Sequence, residues 1–266
     1  MILSLPTQGK SWRIRVGIQS DRAVDLMVRG RDVDNVYSNY FVRKVPIHSS
    51  LMEETDGYRE FSLLLPLSPH RLLLDIHPMD YAQDAILRLE KFEVEPLDAP
   101  PLLALPQVHR FIRFAERFAQ DAGWSPNGTY QSGSGEFKIE YLLQITDILG
   151  KVQATPARTH RVTGDIQVSS ASFRLYTIPM RVFILLHEWM HFQYNTRSEK
   201  EADLRALAHY LDLYYPELEA IYSGTKVMNA QTPAARKNKR DRVRDIFHFT
   251  NQCRIEQVQG GACTTL

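Results

Sequence analysis

Residues 185–192 read LLHEWMHF, and here His187, Glu188 and His191 interrupt an apolar run. On a helix, residues four apart lie on one face, about one turn from each other. Both imidazoles can therefore reach one metal ion, each through a nitrogen at about 2.0–2.1 Å. Glu188 lies about 100° round from His187, where its carboxylate can touch a water on that ion without ligating it. The chemistry such a set supports is hydrolysis, with a metal-activated water as nucleophile and Glu188 as the base that takes its proton. Val182, Phe183, Ile184, Leu185 and Leu186 precede the motif. A buried helix that turns abruptly to His-Glu-His must find partners for those polar groups.

A metal site of this kind needs a third protein donor. Downstream the chain reads FQYNTRSEKEADLRALAHYL. Ser198 with Glu201 three residues later fits a capping box, so a new helix is expected to start at Glu199. The chain must turn at once after His191, which brings the start of the second helix beside the end of the first. Glu199 and Asp203 share a face of it, and Ala202 and Ala206 are small enough for close helix packing. At the same time, acids are favoured at any helix N-terminus. His209 lies ten residues past Glu199, about 280° round an ideal helix. It faces elsewhere and reads as a surface histidine.

HEWMH followed by EKEAD resembles the gluzincin pattern of zinc metallopeptidases, HExxH then ExxxD, and its compact ExxAD form is similar to the minimal gluzincins. The resemblance implies Zn2+ as cofactor, with Glu199 joining His187 and His191 as ligand. It implies Asp203 as the carboxylate that holds a ligand histidine, His187, by its other ring nitrogen, an arrangement common to ligating histidines. It implies peptide-bond hydrolysis with Glu188 as general base. It also implies a sheet-edge strand ahead of the active-site helix that pairs with substrate. GDIQVSS, carrying Asp165, Ile166, Gln167 and Val168, occupies that place. The run from GDIQVSS to YYPELEA further resembles metallopeptidase-like proteins of tailed bacteriophages, including crAss-like phages. That similarity implies a polypeptide substrate. In the alternative, it implies a virion structural or assembly component (neck, ring or connector) that keeps the fold with little proteolysis, as part of an oligomer or larger assembly.

The elements that must position these residues are legible in part. In SWRIRVGI, Trp12, Ile14, Val16 and Ile18 alternate with Ser11, Arg13, Arg15 and Gly17, the period of a half-buried strand. In LRLEKFEVE the apolar phase slips from Leu87 and Leu89 to Phe92 and Val94, and a bulge near Glu90–Lys91 would absorb the shift. Several short strands suggest a small sandwich or barrel over 1–97. A proline-rich stretch, EPLDAPPLLALPQ, marks the linker. Beyond it, Val108, Phe111, Ile112, Ala115, Phe118 and Ala119 recur at helical spacing. SPNGTYQSGSG reads as a loop, EFKIEYLLQI and GDIQVSS as strands, and Pro179 suits the first turn of the helix that bears the motif. The expected fold is α+β: the β-rich domain 1–97, then a zincin-like metallopeptidase domain with its active-site helix over 98–225, then a basic helix and tail over 226–266.

Composition excludes little else. The 266 residues are 44% hydrophobic and 24% charged with net charge +1, ordinary for a globular chain and without a global field for nucleic acid or membrane. No run of about 18 apolar residues appears, and the N-terminal stretch is too short for a signal-peptide core. Cys253 and Cys263 could pair as a disulfide, but the favoured reading is free thiols of a reducing compartment, so synthesis is expected in the cytoplasm, with the virion as destination under the phage resemblance. ARKNKRDRVRD (235–245) is locally basic. Its functional reading is contact with an anionic partner, nucleic acid included, through Arg236, Lys237, Lys239 and Arg240. Its simpler reading, which we favour, is the solvated face of a terminal helix, with Val243, Ile246 and Phe247 turned inward.

Overall fold

The computed structural model describes residues 1–35, 39–47, 57–80, 85–98, 104–226 and 233–258; the side chains of 218, 222, 224–226, 233–239 and 254–258 also lie outside the description. The architecture is mixed α+β, β-rich first and largely helical afterwards. The chain divides into two compact units, Met1–Ala99 and Pro100–Leu266.

The first unit holds β1 (Ile2–Leu5), β2 (Trp12–Ser20), β3 (Val24–Asp32), β4 (Asn39–Ile47), β5 (Gly57–Leu65), β6 (Leu72–Pro78) and β7 (Leu87–Pro96). They form two antiparallel sheets, ordered β1-β6-β3-β4 and β5-β2-β7. Alternation sets the core: Ile14, Val16 and Ile18 of β2 are fully buried, as are Leu26 and Val28 of β3. Across β2 and β7, Gly17 pairs with Lys91 and Ile18 with Leu89, which leaves Glu90 over. The bulge expected from the phase slip is therefore present where the sequence places it.

The second unit opens with α1 (Pro106–Asp121), whose six apolar residues at helical spacing are all buried. There follow β8 (Gly128–Gln131), β9 (Lys138–Leu142), β10 (Ala157–Thr159) and β11 (Ile166–Ser169), ordered β10-β11-β9-β8 in one sheet. β11 runs parallel to β9, and the other pairs are antiparallel. After the short α2 (Ser170–Phe173) come α3 (Ile178–Gln193), α4 (Glu199–Asp212), α5 (Glu217–Lys226) and α6 (Pro233–Val258).

α3 carries the histidines, and the surroundings fix it firmly. Thr177 Oγ1 accepts from Met180 N–H as N-cap, and Pro179 sits in the first turn. Trp189 is fully buried and stacks on Phe111 of α1 at 4.4 Å between centroids. Arg181, also fully buried, donates to the carbonyls of Phe173, Ala119 and Arg174 at 2.9–3.1 Å. One guanidinium thus satisfies backbone acceptors at the ends of α1 and α2 while it anchors the start of α3.

Three sequence expectations are corrected. SPNGTYQSGSG contains β8 and is not wholly loop; its isolated Thr-Tyr-Gln gives too short an alternation to read. Phe247 is 53% exposed, although Ile246 beside it is fully buried; the two lie about 100° apart on α6, too far for one inward stripe. Cys253 is disulfide-bonded and not a free thiol, with the chain's other cysteine, Cys263, outside the described residues. The free-thiol expectation rested on compartment habits, which composition does not decide.

Candidate metal centre

The end of α3 folds back through a tight local device. Asn195 adopts φ 46°, the left-handed conformation that asparagine tolerates, and Thr196 N–H donates to His191 O while Asn195 N–H donates to Phe192 O. This double closure is a Schellman motif. It swings the Thr196 carbonyl onto His191 Nδ1 at 3.0 Å. Ser198 then caps α4, its Oγ accepting from Glu201 N–H. Only half of the expected capping box forms, because the Glu201 carboxylate accepts instead from Thr196 Oγ1 at 2.6 Å. The turn leaves Glu199, the first residue of α4, facing the two histidines.

The Nε2 atoms of His187 and His191 are 3.2 Å apart. Glu199 Oε2 lies 3.4 Å from the first and Oε1 3.6 Å from the second. Tetrahedral ligands at about 2.0–2.1 Å from a common centre sit about 3.3 Å from one another, so all three spacings fit one ion. Among the described residues, His187, His191 and Glu199 are the one group of this kind, and it can hold a metal ion. Both histidines are buried and present Nε2 inward, since each Nδ1 faces an oxygen elsewhere.

For His187 that oxygen is Asp203 Oδ1 at 2.8 Å, although the ring N–H points off the line of an ideal hydrogen bond. Asp203, one turn along α4 and only 2% exposed, also receives the fork of Arg242 from α6: Nε donates to Oδ2 at 2.5 Å and Nη2 to Oδ1 at 2.6 Å. Arg242 Nη1 donates to Glu199 Oε2 at 3.0 Å. Burial works against a charged His187 ring, but the Asp203 carboxylate outweighs it, with Glu199 adding, and the ring is pushed up to about 10. Burial likewise raises Asp203, yet His187 and Arg242 together hold it below the usual carboxylate range. The pairing with His187 also lowers Glu199. The field that holds a proton on His187 is the field that attracts a cation.

Glu188 faces the same cavity, of about 340 Å³. Its Oε2 lies 3.0 Å from Thr159 Oγ1, and the same hydroxyl lies 2.7 Å from the Glu188 carbonyl. Thr159 belongs to β10, an edge strand. Ser169 N–H donates to Pro156 O and His160 N–H to Asp165 O, so Arg158 also faces β11 by alternation. Ala157 and Thr159 turn their backbone groups to the open edge, and both line the cavity.

The expected substrate edge at Asp165–Val168 is therefore corrected. β11 is an interior strand, paired by β10 on one side and β9 on the other. Ile166 and Val168 are fully buried. Gln167 bonds Arg158 at 2.7 Å and Glu140 at 2.8 Å, and Asp165 pairs with Lys138. The edge of the sheet on this side is β10, whose three residues give no alternation to read in sequence. His209 is corrected as well: it is 5% exposed, not a surface residue. Of the basic segment, Arg240 is exposed, while the side chains of Arg236, Lys237 and Lys239 lie outside the described residues.

Sequence reasoning missed Arg242 and Thr159. Arg242 had a signal. Residues 242, 246, 250 and 253 form one stripe of α6, and Ile246, Thr250 and Cys253 on it are buried. Extending that stripe one turn back turns Arg242 inward, out of the basic run. Thr159 had none. No family model, curated protein or solved structure matches this chain.

Proposed function

We propose that the second unit is a zinc metallopeptidase of gluzincin type, with His187, His191 and Glu199 as ligands and Glu188 as general base. The observation that carries the reading is the convergence of two Nε2 atoms and a carboxylate at tetrahedral spacing, with both Nδ1 atoms engaged elsewhere. Two histidines and one carboxylate are a donor set that zinc accepts in hydrolases, with a further position left for water or substrate. Bound there, Zn2+ supplies Lewis acidity and lowers the cost of deprotonating water. The chain's own groups do the rest. Asp203 orients His187, and the Thr196 carbonyl orients His191. Glu188 takes a proton from water and returns it to the leaving amine, with Thr159 setting its carboxylate toward the cavity. The unpaired edge of β10 offers the Thr159 backbone groups to an extended substrate segment.

Metal analysis and a cleavage assay on purified protein test this together. About one zinc per chain is expected after loading, abolished in His187→Ala and His191→Ala. Cleavage of a broad peptide library is expected from the wild type and lost in Glu188→Gln, which keeps its zinc. Metal retained without any cleavage would turn the reading to a zinc-stabilised assembly component. No metal after zinc loading would sink it.

A further inference from the structure

At the other end of the second unit's sheet, β8 pairs with β9 on one side only. Ser132 N–H donates to Phe137 O at 2.9 Å, so by alternation Tyr130 and Gly128 also face β9. The backbone N–H and C=O of Thr129 and Gln131 face outward, and both residues are exposed. β8 itself (GTYQ) carries no charge, proline or bulge that would block pairing.

Beside this edge lies a cavity of about 450 Å³ between α1, β8 and the loop after it. Its floor is aromatic: Phe114 stacks on Phe137 at 6.1 Å and Phe118 meets Tyr130 edge-on at 5.2 Å. Its wall is the α1 stripe Arg110, Arg113 and Arg117. Arg110 is committed, donating twice to Glu136 at 2.8 and 3.0 Å. Arg113 and Arg117 are exposed and make no hydrogen bond or ion pair with any described residue. Arg113 senses Glu116 only through space, and that carboxylate already accepts from Tyr215 Oη at 2.8 Å. The single carboxylate of the lining, Asp121, sits at the far end of the stripe.

We propose that this groove binds an extended acidic polypeptide segment, which adds as a strand to β8 and sets its carboxylates on Arg113 and Arg117. Spacing favours that occupant. Four residues along a helix rise about 6 Å, and alternate side chains of a strand repeat at about 6.6–6.8 Å. Carboxylates at every second position therefore meet successive arginines above the aromatic floor, while the residues between them point to the opposite face of the sheet. A four-residue edge limits the added segment to a short one. Nothing in this site touches the metal centre, so the proposal stands or falls apart from the peptidase reading.

The test uses the full chain and an array of capped, fluorescein-labelled nonapeptides with Glu at alternate positions and varied residues between, read by anisotropy. The same peptides with Gln for Glu, and adenosine monophosphate as a competitor, run beside them. Saturable binding is expected for Glu peptides, weakened about tenfold or more by Glu-to-Gln exchange and by the Arg113→Glu/Arg117→Glu variant. Amide exchange at Thr129 and Gln131 should slow on binding. Should the double variant not fold, Arg117→Gln alone gives the same comparison at smaller amplitude. Absence of saturable binding, equal affinity for Glu and Gln peptides, unchanged exchange at the β8 amides, or displacement of the peptide by the nucleotide would each overturn the proposal.

Discussion

Asp203 is held between two cationic partners, His187 on one side and the Arg242 fork on the other. A carboxylate 2% exposed survives as an ion only because both are there. Arg242→Met leaves that charge with one partner, and a loss of about 3 kcal/mol in unfolding free energy is expected. Asp203→Asn on top of it should cost less than the sum of the two single changes, since each removes the other's reason to be buried. Denaturant melts of the four proteins give the coupling, and a strictly additive result would mean the fork does not act as a pair. His209 works differently. Its Nε2 is buried and has no hydrogen-bond partner among the described residues. Burial, with His109 and Arg205 adding positive field, pushes its ring from 6.5 down to about 4. Between those values the unfolded chain binds the proton and the folded chain does not, so stability rises with pH from about 4 to 6.5 and levels off above. The expected span is up to about 3 kcal/mol. His209→Leu should flatten that rise. Taking the difference between the two proteins cancels Glu116, whose buried carboxyl is pushed up and acts in the opposite sense. Parallel stability–pH curves would place the acid sensitivity elsewhere.

The helix that carries His187 and His191 depends on the hairpin of β10 and β11 as much as on its own sequence. Gly164, in the turn between those strands, has φ 76°, and a Cβ there would meet the Phe192 ring of α3 at 2.9 Å. Gly164→Ala is both conformationally strained and crowded, with an expected cost of about 1–3 kcal/mol. The same change should loosen the Thr159–Glu188 contact, because β10 would move with the turn. A thermal melt close to wild type would show that Phe192 swings aside at no cost. How far the sequence discloses these elements follows from how each is encoded. α1 writes six buried apolar positions at one period, and β2 writes an alternation, so both can be read directly. His187, Glu188, His191, Glu199 and Asp203 can be picked out because helix spacing alone decides which side chains share a face. β8 and β10 have four and three residues, too few for any period to show. Their neighbours in the sheet are set by long-range pairing, which no local pattern records. Arg242 was hidden for a third reason: five nearby cations made a buried guanidinium look like one more solvated charge.

At the scale of the molecule, the chain is two compact units, and every residue of the metal centre lies in the second. A ligand that binds only a folded state stabilises that state alone, by an amount set by its concentration over its dissociation constant. Zinc should therefore act on residues 100–266 and leave the β-rich unit where it was. Differential scanning calorimetry of the whole chain is expected to show two transitions, of which one moves up with added zinc. At a free zinc concentration a thousandfold above the dissociation constant, the gain approaches about 4 kcal/mol. His187→Ala should abolish the movement without altering the other transition, since the ligand set and the first unit's core share no residue. The three α-helices that meet at the site, α3, α4 and α6, must unfold together if Arg242 binds Asp203 as described, so the zinc-sensitive transition should be a single cooperative one. Both transitions rising in step would show that the units unfold as one body. A zinc-sensitive transition that splits in two would detach α6 from the site and end the role assigned to Arg242.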